Sequence, residues 1–126
     1  MQVNLVFGWT WILAGMVGGM ALGLGFHRED WLGGYASHAR RLLRLGHISF
    51  IGLGVVNILF AQLPAELSAR AGGLGLASAA FIAGGVSMPL CCALMAWRRG
   101  LQPLFAVPVA SLLLGAGIVV AKLLRP

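Results

Sequence analysis

Apolar residues run along this chain in four long blocks, about 3–25, 45–63, 74–97 and 104–124, with short polar interruptions between them. The first block has no charged residue, and the fourth has only Lys122. Each is near or above the roughly 20 residues that an α-helix needs to cross a hydrocarbon core of about 30 Å. A soluble domain of 126 residues has no room to hide four such segments. The pattern predicts an all-α integral membrane protein, an antiparallel four-helix transmembrane bundle that forms one domain over residues 1–126. The connections at 65–73 and 98–103 are short, which favours antiparallel neighbours. The connection at 26–44 is longer, and its end reads as helix, because Tyr35 to Leu45 contains no Gly or Pro. On that reading the second helix begins before the membrane, and Gly33-Gly34 marks its start.

Charge orients the bundle. The net charge is +6, with nine Lys and Arg against three acidic residues, Glu29, Asp30 and Glu66. Arg28, Arg40, Arg41, Arg44, Arg98 and Arg99 belong to the first and third connections, which share one side of the bilayer. Arg70, Lys122 and Arg125 fall on the other. Positive residues stay cytoplasmic, so both termini are expected on the non-cytoplasmic side of a bacterial-type inner (plasma) membrane. The basic excess is thereby assigned to topology and to anionic lipid rather than to nucleic acid. The N-terminus lacks a basic n-region, and its apolar run exceeds a signal h-region of roughly 7–15 residues, so no cleaved signal is expected. Cys91 and Cys92 are neighbours that point about 100° apart on a helix and cannot close an ordinary disulfide with each other.

Small residues are ordered within the spans. Gly15, Gly19 and Gly23 recur every four residues on one face of the first helix, and Gly8 lies near that face. Such ridges let backbones approach closely in lipid, where dispersion replaces the hydrophobic effect. Counting inward from the arginine-rich ends places Asn57 level with Ala14-Gly15, Gly84-Gly85 and Gly115, a centre of small residues on every helix. Pro89 leaves the Gly85 carbonyl without its helical donor, and Asn57 is expected to donate to that carbonyl or to Ser87. Trp9, Trp11, Trp31 and Trp97 are read as interfacial belt residues.

Chemistry-bearing groups are few. His27 ends the first span and His47 lies one turn inside the second, at similar depth on antiparallel elements, as a bis-histidine b-type haem requires. Arg40, Arg44 and His47 follow i, i+4, i+7 spacing and share a face, so two arginines stand above His47 where haem propionates would pair with them. Gly54 below His47 and Gly23 below His27 leave room for a macrocycle edge. His38 is half a turn out of phase with His47. Met88, Cys92 and Met95 share a face at a spacing that suits Cu(I), although methionine and cysteine are also ordinary apolar fillers. No acidic residue lies within a span, which removes the carboxylate that proton-coupled transporters use. Small multidrug transporters have four spans too, but carry a glutamate in the first helix, where this chain has Ala14 and Met16. No nucleophile triad can assemble, and Gly72-Gly73-Leu74-Gly75 does not match a phosphate-binding loop.

The leading expectation is a small non-catalytic accessory subunit of a larger inner-membrane complex, in an electron-transfer or energy-converting setting, that docks on other membrane subunits through its glycine-rich faces. The rival is a haem b protein with His27 and His47 as ligands. A third reading is a lipid- or quinone-binding protein that uses the small-residue centre.

Overall fold

The computed structural model describes residues 1–64, 67 and 74–124. Most of the 65–73 connection, with Glu66, Arg70 and Gly72-Gly73, and Arg125 lie outside the described residues. Inside a hydrocarbon layer every backbone N–H and C=O must be satisfied within its own segment, so the apolar blocks become α-helices despite their glycine content. They are α1 (Gln2–Gly23), α2 (His38–Ala61), α3 (Leu74–Trp97) and α4 (Ala106–Leu123). A 3₁₀ turn, Trp31–Gly33, precedes α2, and a 3₁₀ segment, Arg99–Phe105, leads into α4. All four helical segments are long and apolar enough to cross a membrane. The chain is a multi-pass membrane protein with an antiparallel four-helix arrangement.

The second helix starts later than the glycine pair suggests. Leu32, Gly33 and Gly34 take positive φ (56°, 85° and 89°) and turn the chain, and Tyr35 to Ser37 precede the helix. Ser37 then caps α2: its Oγ accepts the Arg40 N–H at 3.2 Å, which satisfies one of the free donors of the first turn. Its hydroxyl also donates to the Leu32 carbonyl at 2.6 Å, which ties the turn to the helix.

The helices pack in chain order, α1 on α2, α2 on α3 and α3 on α4. α1 and α3 run parallel and meet only near their N-terminal halves, through Asn4 with Ser78 and through Phe7 and Trp11 with Gly85. Towards the arginine-rich end they separate. α3 is the most enclosed of the four spans, and α1 is among the least. The main core lies towards the terminal end between α2, α3 and α4, where Phe60 and Phe81 meet with ring centroids 5.2 Å apart, beside Leu74 and Ala77.

Glycines admit the neighbouring helix at each seam. A Cβ on Gly8 would come within 2.6 Å of the Gly54 carbonyl oxygen, and one on Gly54 within 2.8 Å of the Gly8 oxygen. Gly15 faces Phe50 and Ile51, Gly84 faces Leu112, Gly115 faces Phe81 and Gly46 faces Cys92. The expected central layer of small residues on all four helices is not what forms. The glycines of that level instead receive larger groups from a neighbouring helix: Gly84 takes Leu112, Gly85 takes Phe7 and Gly115 takes Phe81, and Gly15 lies level with Phe50-Ile51 rather than with Asn57. Gly23 faces open space.

Candidate functional site

A polar knot holds α1, α2 and α3 together where they converge. Asn4 and Asn57 are both fully buried. The Asn4 Nδ2 donates to Asn57 Oδ1 at 2.8 Å and to the Ser78 carbonyl at 3.3 Å, and Asn4 Oδ1 accepts the Ser78 hydroxyl. The Asn57 Nδ2 donates to the Leu53 and Phe81 carbonyls at 2.9 and 3.4 Å. Asn57 does lie beside Gly85, its Nδ2 3.8 Å from where a Gly85 Cβ would stand, but it donates to the Phe81 carbonyl one turn away rather than to that of Gly85. Ser87 donates within its own helix, to the Ala83 carbonyl at 2.6 Å.

The Gly85 carbonyl that Pro89 strands finds a different donor, the Trp11 Nε1–H at 3.0 Å. Trp11 is thus more than a belt residue. Its ring stacks on Phe7, with centroids 4.6 Å apart, and lies against Phe50, so an indole on α1 closes the break that proline makes in α3. Trp11→Phe keeps the stacking but orphans the carbonyl, and is expected to cost about 1–2 kcal/mol of stability. In a Pro89→Ala background the residue 89 N–H reaches Gly85 again, so the same substitution should cost almost nothing. Equal losses in both backgrounds, measured by reversible unfolding in mixed micelles, would refute this account.

Below Trp11 the separation of α1 from α3 opens a lateral groove of about 640 Å³. Gly18, Ala21 and Leu22 of α1 form one wall, and Val86, Pro89, Leu90 and Ala93 of α3 form the other. The floor is α2, with Leu43, Gly46, His47 and Phe50. The size lies within the roughly 300–1,000 Å³ of small-molecule sites, and so does the chemistry, an apolar lining with very few polar groups. Only Trp11 and His47 bring polar side-chain atoms to the lining, and the Trp11 N–H is committed to Gly85. His47 lies across Gly19, where a Cβ would come within 2.5 Å of its Nε2. Among the described residues neither ring nitrogen of His47 has a hydrogen-bond partner.

The other candidates are distributed differently. His27 is exposed, beyond the end of α1, and is not part of the groove lining. His38 donates from Nε2 to the Met95 carbonyl at 3.1 Å and ties the start of α2 to the end of α3. Arg40 and Arg44 do come together, but on aromatic rings. The Arg40 Cζ lies 5.1, 5.7 and 5.6 Å from the ring centres of Phe26, Trp31 and Tyr35, and the Arg44 Cζ lies 4.1 Å from that of Tyr35. Trp31 reaches this cluster by folding over Gly25, whose missing side chain leaves it room. The space beneath His47 towards Gly54 is occupied by the Gly8 backbone of α1. Cys92 is fully buried against Gly46, and the Cys91 thiol donates to the Leu104 carbonyl at 3.4 Å. Among the described residues no three of His, Cys, Asp and Glu gather as metal ligands.

Sequence reasoning overlooked Asn4 and the second role of Trp11. Asn4 stands three residues from the start, where an amide passes for a headgroup residue. The usable signal was that Asn4 and Asn57 are the only asparagines in the chain, each needing a partner in an apolar setting. No protein-family model matches this chain, and no curated protein and no solved structure matches it.

Proposed function

We propose that the chain is a non-catalytic binding protein for a flat, lipid-soluble ligand of the quinone class, which enters the groove between α1, α2 and α3 from the bilayer. The observation that supports this is His47: an imidazole without a hydrogen-bond partner among the described residues, on the floor of an otherwise apolar groove. A quinone needs such a site, an apolar slot for its ring and tail and a single donor for a carbonyl oxygen. The groove opens sideways, so a ligand dissolved in lipid reaches it without crossing water. A bis-histidine haem asks more, because the groove presents one histidine and His27 lies outside its lining.

The test is quenching of tryptophan fluorescence by a short-chain quinone in lipid nanodiscs, since Trp11 lines the groove. Saturable quenching is expected in the parent protein. His47→Leu, which keeps an apolar floor, should weaken binding about tenfold, the equivalent of about 1.4 kcal/mol and in the range of one hydrogen bond. Equal affinity in both proteins, or quenching that tracks only the bulk quinone concentration, would sink the reading.

A second reading, as an accessory subunit of a larger membrane complex, is favoured by a different observation. Gly52 and Gly117 face open space on the outer faces of α2 and α4, and an outward-facing glycine in lipid serves close approach by another helix. Co-purification of stoichiometric partners in mild detergent, lost on Gly117→Leu, is the outcome this reading expects.

A further inference from the structure

We infer that Arg40 and Arg44 form a binding site for the phosphate of one anionic phospholipid, at the arginine-rich end of the bundle. Arg40 is only 6 % exposed, and its Nε is buried with no hydrogen-bond acceptor among the described residues. A guanidinium is charged at every physiological pH, and a buried charge is retained when it is paired and hydrogen-bonded. Neither Arg40 nor Arg44 is paired with a carboxylate among the described residues: Asp30, the nearest acid in sequence to reach an arginine, contacts Arg28 at 3.8 Å.

The second observation is the like-charged neighbour. Arg40 and Arg44 both lie against the Tyr35 ring, at 5.6 and 4.1 Å from its centre. The ring faces offset part of the charge, but they supply no acceptor for the N–H groups of either fork. Among the described residues the Arg44 Nη2 reaches only the Tyr35 carbonyl, at a long 3.5 Å. Two forked donors share one ring, and the Arg40 fork is held in place beneath aromatic faces; the Nη–H groups of the pair are suited to a tetrahedral oxyanion that takes N–H bonds from both. The source is assigned from the setting. Phe26, Trp31 and Tyr35 surround the site at the end of two membrane-spanning helices, where aromatic side chains sit at headgroup depth. A phosphate at that depth belongs to a lipid. The site is separate from His47 and does not depend on the quinone reading.

The experiment is native mass spectrometry of the full chain in detergent, titrated with phosphatidylglycerol or phosphatidylcholine. One phosphatidylglycerol per chain is expected to bind at least tenfold more tightly than phosphatidylcholine. Arg44→Gln should remove most of that preference, and Arg44 is half-exposed, so this variant is expected to fold. Arg40→Gln should do the same, with a thermal midpoint taken alongside to show that it is folded. Arg41→Gln, an exposed arginine on the same helix, should change the affinity less than twofold. An equal effect at Arg41 would overturn the site in favour of diffuse surface attraction, as would equal affinity for the two lipids. Displacement of the lipid by millimolar inorganic phosphate would overturn its assignment to a lipid and identify a soluble phosphate site.

Discussion

Gly54→Leu is expected to push α1 away from α2 and to cost about 3 kcal/mol or more of stability, the upper part of the range for overpacking. The reason is what the new side chain meets. A Cβ at Gly54 would come within 2.8 Å of the Gly8 carbonyl oxygen and of Ile12, and the reciprocal Cβ at Gly8 within 2.6 Å of the Gly54 oxygen. Backbone faces backbone on both sides, so no rotamer change relieves the clash. In lipid there is no hydrophobic drive to hold the displaced helices together, because lipid tails are as apolar as leucine. Gly52→Leu is the control. It lies on the same helix with open space around it, and its stability should change by no more than about 0.5 kcal/mol. Reversible unfolding in mixed micelles measures both. Similar losses at the two positions would mean that the α1–α2 seam is not the tight contact described.

Asn57→Leu is expected to destabilise the protein by about 2 kcal/mol, near the upper end of what polar contacts between membrane helices contribute. It removes the acceptor of Asn4 and the donor to Phe81, leaving the Asn4 amide short of a partner in a dry interior. Asn4→Leu should cost a similar amount for the converse reason. The double variant should be less damaging than the two losses added together, by about 1 kcal/mol, since no orphaned amide then remains. Strict additivity in that cycle would show that the two amides do not act on each other. His47 lies well down α2 from Asn57, so quinone quenching in folded Asn57→Leu protein should keep its parent affinity.

Much of this was legible before any coordinates. Four charge-free or nearly charge-free blocks dictate four helices, because a backbone in hydrocarbon has no other local solution. The i, i+4 spacing of Arg40 and Arg44 matches their meeting on the Tyr35 ring, and Pro89 announced a stranded carbonyl at Gly85. What failed was the partner, and the depth along α1. Asn57 does lie beside Gly85, yet it pairs with Asn4, and the donor to Gly85 is Trp11. Gly15, expected level with Asn57, meets Phe50 and Ile51 instead. Counting residues inward from the polar boundaries fixes each helix against the bilayer and leaves open how far it slides along its neighbour.

The amino-acid pattern by itself determined that this protein spans a membrane as four antiparallel helices, since the free energy of burying apolar segments in lipid depends on composition and length alone. Tertiary structure decided which faces meet. Every face of these spans is apolar enough for lipid, so hydrophobic periodicity carries almost no information about neighbours. Glycine seams, the Asn4–Asn57 pair and the Trp11–Gly85 bond choose the partners through contact and hydrogen bonding over a few ångströms. The same contacts converge at one end and release α1 from α3 at the other, and that divergence creates the groove over His47.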